Sequence, residues 1–106
     1  MTEDKLRAVV FLAVFIAPFI EEIFFRGFMQ SALIKTFGAM PGILLTALIF
    51  GVSHTQYFDY NSALFAVTAI GLILGITKYY TGSVIPGMFA HLFNNLIASL
   101  SILSLK

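Results

Sequence analysis

The chain reads as four apolar stretches separated by short polar or Gly/Pro-rich breaks. The first covers residues 6–34 and ends at "KTFGAMPG", where Gly38 and Pro41 act as helix breakers. The second, "GILLTALIFGVSHTQYF", covers 42–58. The third, "SALFAVTAIGLILGITKYY", follows "DYN", so that Asn61 or Ser62 caps its start. The fourth covers 83–105 and has Pro86 in its first turn, where a missing amide donor costs little. A membrane-crossing helix needs roughly 20 apolar residues; the first, third and fourth stretches reach that length and the second is marginal. The first exceeds one span and so must tilt or run past the bilayer. No linker divides the chain and no repeat recurs in it. The expected architecture is a single domain over residues 1–106, an all-α membrane protein formed as a bundle of about four antiparallel transmembrane helices.

Composition supports a lipid environment. Hydrophobic residues make up 59% of the chain and charged residues 10%, where soluble domains carry about a quarter. So few charges do not cover a water-facing surface. The net charge of +1, without a basic tract, gives no basis for a nucleic-acid partner. The absence of cysteine excludes disulfides, thiolate metal sites and a cysteine nucleophile, while leaving the compartment open. The N-terminal "MTEDKLRAVVFLAVF" lacks a small-residue cleavage signature and reads as a retained helix. Lys5, Arg7 and Lys106 collect on one side and Lys35 and Lys78 on the other, a difference too small to set orientation. Gly71 and Gly75 form a G-x-x-x-G, and Ala47 with Gly51 a second small-residue pair, marking faces where helices approach closely. Tyr57, Tyr60, Tyr79 and Tyr80 lie at helix ends as an aromatic belt, and Gln56 and Asn94 read as packing or interface residues.

Against this background a few polar residues stand at depth: Glu21, Glu22, Arg26, His54, His91 and Asn95. An isolated ionised carboxylate in lipid is expensive, so two adjacent ones require partners or a task. Glu22 and Arg26 are i, i+4 neighbours with the acid first, the favourable order for an ion pair. Glu21 points about 100° away from Glu22. His91 and Asn95 share one helix face, with Gly87 one turn earlier. Each residue has a plain alternative. Glu21 is either a base or a protonated acid bonded to a neighbouring helix; His54 is either its partner or an interfacial histidine; His91 and Asn95 either bind a substrate oxygen or bond helix to helix. Taken together, a carboxylate and an imidazole deprotonate water, while a second imidazole and a carboxamide donate to a carbonyl oxygen gaining charge. That set suffices for peptide-bond hydrolysis. Counting depth from the N-terminal end of the first helix puts Glu21 roughly 20 Å deep, Asn95 roughly 15 Å and His54 only about 6–9 Å. Helix ends, tilt or loop length must therefore bring His54 deeper, or the cluster is looser. The clustering of these groups in one layer argues against a proton or ion pathway, which needs ionisable groups across the whole bilayer.

The motifs "EEIFFR", "FGVSH" and "HLFNN" occur in order, each within an apolar segment, over residues 21–95. The chain resembles in these the CPBP (CAAX protease and bacteriocin-processing, or Abi) family of intramembrane endopeptidases, which includes the type II CAAX prenyl proteases. The resemblance implies Glu21 as general base, His54 as its partner in activating water, His91 and Asn95 as an oxyanion-stabilising pair, and Glu22 with Arg26 in support. It also implies a hydrophobic or prenylated peptide substrate drawn from the lipid bilayer. The family is often labelled metalloendopeptidase, but the resemblance is to glutamate-dependent enzymes, so no cofactor is expected to be required. Were zinc used, Glu21, His54 and His91 would be its ligands; this is not favoured, because no H-E-x-x-H occurs and three separate helices would have to supply them. Family members usually carry further helices before this core, which implies that additional helices or an oligomer complete the site. The expected function is an intramembrane endopeptidase, multi-pass in a prokaryotic plasma membrane rather than the ER. The alternative is a non-catalytic immunity or scaffolding protein of the same fold.

Overall fold

The computed structural model describes residues 1–54 and 60–104. Four helices are found among them: α1 (Glu3–Phe37), α2 (Ala39–Val52), α3 (Tyr60–Thr81) and α4 (Ile85–Ser104). They form the expected all-α bundle, with different boundaries. Thr2 caps α1 by accepting the Lys5 amide at 3.2 Å, and Glu3 and Asp4 follow in the first turn, where acidic groups suit the helix dipole. α1 runs three residues past its expected end, to Gly38, whose φ of 97° is a conformation other residues rarely adopt. Pro41 does not break the chain. It lies in the first turn of α2, where backbone N–H groups have no helical partner in any case. α2 stops at Val52, short of the expected 58; Gln56 and Tyr57 lie outside the described residues. α3 begins at Tyr60, ahead of both expected caps, Asn61 and Ser62. α4 starts two residues later than expected, after Ser83 Oγ accepts the Ile85 amide at 3.1 Å, and Pro86 sits in its first turn.

At 1.5 Å per residue α1 alone would run about 50 Å, and the longest dimension of the molecule is 46 Å against a shortest of 17 Å. The bundle is thus a thin slab laid along α1. α2 packs between the C-terminal half of α1 and α3, and α4 packs on the middle of α1 and on α3. Gly42 lets α2 approach α1 closely, since a Cβ there would lie 2.6 Å from the Ile34 amide nitrogen. Among the described residues the apolar core is small, comprising Val14, Phe25, Ile43, Ala47, Phe50 and Leu74. Large apolar side chains such as Phe11, Phe15, Phe24, Phe28, Phe65, Phe89 and Phe93 face outward instead. An exposed apolar surface of this extent fits lipid, not water. Among the described residues two helical stretches, Glu3–Phe37 and Leu64–Thr81, are long and apolar enough to cross a membrane, where the apolar pattern suggested three.

α1 is not regular. Within residues 12–16 and 23–29 its N–H groups reach back five residues instead of four, as from Ala17 to Leu12 and from Gln30 to Phe25. Such π-turns recur at functional sites. Between them lies one α-helical stretch, Ala17–Glu22, which carries Pro18, Glu21 and Glu22.

Candidate active site

The turn at Gly38 fixes which residues of α1 and α2 stand level. Glu21 lies 17 residues before it and His54 16 residues after it, both about 25 Å away along their helices. Their side chains meet: His54 Nε2 lies 2.9 Å from Glu21 Oε2. His54 is thus level with Glu21, as expected if helix ends or the loop bring it deeper. The depth count ran α2 on to residue 58, but α2 stops at Val52, and residues Glu3–Phe11 bury nothing. The pair is partly exposed, with about a quarter of each side chain accessible.

The other ring nitrogen of His54 determines what this contact holds. Nδ1 lies 2.7 Å from the Phe50 carbonyl oxygen, which only accepts, so Nδ1 carries a hydrogen and donates. Ser53 Oγ, 3.1 Å from the same nitrogen, also donates to that carbonyl, at 2.8 Å. One proton then lies on the line between Nε2 and Oε2, either on the imidazole against a carboxylate or on the acid against a neutral ring.

Glu22 and Arg26 form a separate, fully buried set. Both residues are 0% accessible. Arg26 Nη1 donates to Glu22 Oε1 at 3.2 Å, its Nη2 donates to the Gly71 carbonyl at 2.9 Å, and its guanidinium lies 4.2 Å from the centroid of the Phe50 ring. His91, buried on α4, places Nδ1 3.1 Å from the same Glu22 Oε1. Glu22, ionised against Arg26, only accepts, so His91 Nδ1 donates. Gly71 permits the approach, since a Cβ there would lie 2.9 Å from the Phe50 ring and 3.1 Å from Arg26 Nη2. One turn on, buried Gln30 repeats the pattern by donating to the Gly75 carbonyl at 3.0 Å. Glu22 Oε2 has no partner among the described residues, and a Cβ added at Gly87 would lie 3.3 Å from it.

The expected site residues are thus distributed over three contacts. Glu21 meets His54; Glu22, Arg26 and His91 meet one another; Asn95 donates to the backbone carbonyl of Ala13 at 2.9 Å. Asn94 is exposed. The Phe50 ring joins the first two sets, its centroid 4.4 Å from the His54 ring and 5.7 Å from the His91 ring, so the two imidazole centres lie within about 10 Å. Glu21, His54 and His91 do not close into a metal shell; among the described residues no three His, Asp or Glu side chains converge to hold a metal ion. Sequence reasoning overlooked Gln30 and gave no role to Phe50, which opens the "FGVSH" motif. The signal for Gln30 was present, as Glu22, Arg26 and Gln30 repeat every four residues, the spacing of Gly71 and Gly75 opposite them.

Fold and site together define a helical membrane protein with a histidine-bonded carboxylate facing outward beside a buried ion pair. The chain belongs to the type II CAAX prenyl endopeptidase Rce1-like family, whose profile matches residues 4–97. It is 34% identical over 83 residues to protein YpbD of Bacillus subtilis (strain 168), covering 78% of this chain and 39% of YpbD. The chain therefore spans about two-fifths of that relative. No solved structure matches it.

Proposed function

We propose that the protein is an intramembrane endopeptidase in which Glu21 and His54 activate water to hydrolyse a peptide bond. The observation that carries this reading is the 2.9 Å contact of Glu21 with His54, partly exposed and held in one tautomer by the Phe50 carbonyl. Glu21 as carboxylate takes a proton from water, and the hydroxide adds to the peptide carbonyl carbon. The proton is then passed to the departing amine nitrogen as the C–N bond breaks. His54 holds Glu21 in place and stabilises its charge before the proton arrives. On α4, Asn95 supplies an N–H toward the oxygen that gains charge in the tetrahedral intermediate, and His91, whose Nδ1–H is held by Glu22, does so through Nε2 when both of its ring nitrogens are protonated. Glu22 and Arg26 fix His91 and do not touch substrate. No step is routed through a metal, since the donor set does not form a shell.

The substrate in this reading is a hydrophobic or prenylated peptide entering laterally from the bilayer, in keeping with the family and with the apolar outer surface. The protein is a multi-pass component of a prokaryotic plasma membrane, and further helices or a second copy cover the open side of the slab. The test is cleavage of a fluorogenic farnesylated Cys-aliphatic-aliphatic-X peptide in proteoliposomes by wild type and by Glu21→Ala. The variant is expected to lose about 10²–10⁴-fold in kcat while keeping its far-ultraviolet dichroism. Wild-type cleavage that persists undiminished in folded Glu21→Ala removes Glu21 as the base.

A further inference from the structure

One carbonyl of α1 is not served by its own helix. In a regular α-helix the Ala13 oxygen would accept the N–H of residue 17, but Ala17 donates instead to Leu12, five residues back. Continuing the five-residue pattern would offer the N–H of residue 18. Residue 18 is proline and has none. A peptide carbonyl in an apolar setting is costly without a donor, and lipid supplies none. Asn95 Nδ2 fills the place from α4, at 2.9 Å.

Asn95 stands one turn beyond His91 on the same face, so this bond fixes the depth and rotation of α4 beside the His91–Glu22 contact. A carboxamide nitrogen carries two hydrogens. Ala13 takes one, which sets the plane of the amide, assigns its nitrogen rather than its oxygen to that side, and leaves the second hydrogen for another acceptor.

We propose that Pro18 and the π-turn before it are a positioning device for Asn95: they strip the Ala13 carbonyl of its backbone donor so that it captures and orients the Asn95 amide. Pro18 and Ala13 are positioning residues acting through Asn95. The socket stands independently of any enzymatic reading, while its effect on turnover rests on the proposed hydrolase.

Pro18→Ala tests this by returning an N–H to the helix. The new amide either bonds to Ala13 directly or bonds to Val14, letting Ala17 return to Ala13; both leave the Ala13 carbonyl with a backbone donor. Thermal unfolding in detergent micelles is compared for wild type, Asn95→Ala, Pro18→Ala and the double variant. Asn95→Ala is expected to lower Tm by about 4–8 °C in the Pro18 background, and by less than half as much in the Pro18→Ala background. An equal loss in both backgrounds overturns the socket. A second measurement does not depend on Pro18→Ala folding. In a semisynthetic chain with an isotope-labelled Ala13 carbonyl, that group's infrared band should move to higher frequency in Asn95→Ala, and an unmoved band overturns the proposal. On the farnesylated peptide, Pro18→Ala is expected to lower kcat about tenfold with KM unchanged, and an unchanged kcat overturns the positioning role. If wild type does not cleave the peptide, the hydrolase reading fails, and the melting cycle and infrared band still decide the socket.

Discussion

Replacing Arg26 by methionine removes one half of a fully buried ion pair while keeping most of the side-chain bulk. Glu22 then retains no cation; its Oε1 keeps only the His91 N–H, and its Oε2 already has no partner among the described residues. Breaking a buried pair from one side costs about 3–5 kcal/mol, because the remaining charge stays desolvated. Loss of the Gly71 carbonyl bond and of the contact with the Phe50 ring adds to this. Against a total stability of about 5–15 kcal/mol, the single variant should be severely weakened. Glu22→Gln in the same chain removes the orphaned charge and keeps an oxygen to accept from His91, so the double variant should recover to within about 1–2 kcal/mol of wild type. Denaturation in detergent micelles, followed by far-ultraviolet dichroism, measures all four members of this cycle. A loss below about 1 kcal/mol in Arg26→Met, or a double variant as weak as the single, would refute the claim that charge burial holds this site.

Two backbone predictions follow from glycines in tight places. Gly38→Ala places a Cβ on a residue with φ 97° and ψ 171°, and should cost about 1–3 kcal/mol in the same unfolding assay; no loss would mean the α1–α2 turn readjusts freely. Gly51→Ala puts a Cβ onto Thr68 Oγ1 and within 3.1 Å of Thr68 Cβ, so α2 and α3 must separate, at about 1–3 kcal/mol. An unaltered melting temperature in Gly51→Ala would show that these helices do not pack as described.

The helical plan was legible because apolar runs and Gly/Pro breaks are local signals. The divergence of the two carboxylates was legible as well: adjacent helical positions point about 100° apart, and Glu22 reaches Arg26 while Glu21 reaches His54. Register between helices was not. The depth of His54 could not be counted from the apolar run, because that run continues past Val52, where α2 stops. The periodicity of α4 likewise assigns His91 and Asn95 to one face but does not say what that face meets. Proline at position 18 signals a disturbed helix, yet the acceptor it exposes and the residue 77 positions later that answers it are tertiary facts.

The reason for consecutive glutamates then lies in geometry. Residues 21 to 26 form little more than one turn of α1, but they touch all the neighbouring segments: Glu21 meets the His54 turn after α2, Glu22 meets α4 through His91, and Arg26 meets α3 through the Gly71 carbonyl. A single acid on this turn would face only one of these directions. Two acids on successive positions, with the arginine one turn below the second, divide the work: the buried carboxylate and its cation tie α1 to α3 and α4, which leaves the outer carboxylate, bonded to a histidine among the described residues, reachable from outside.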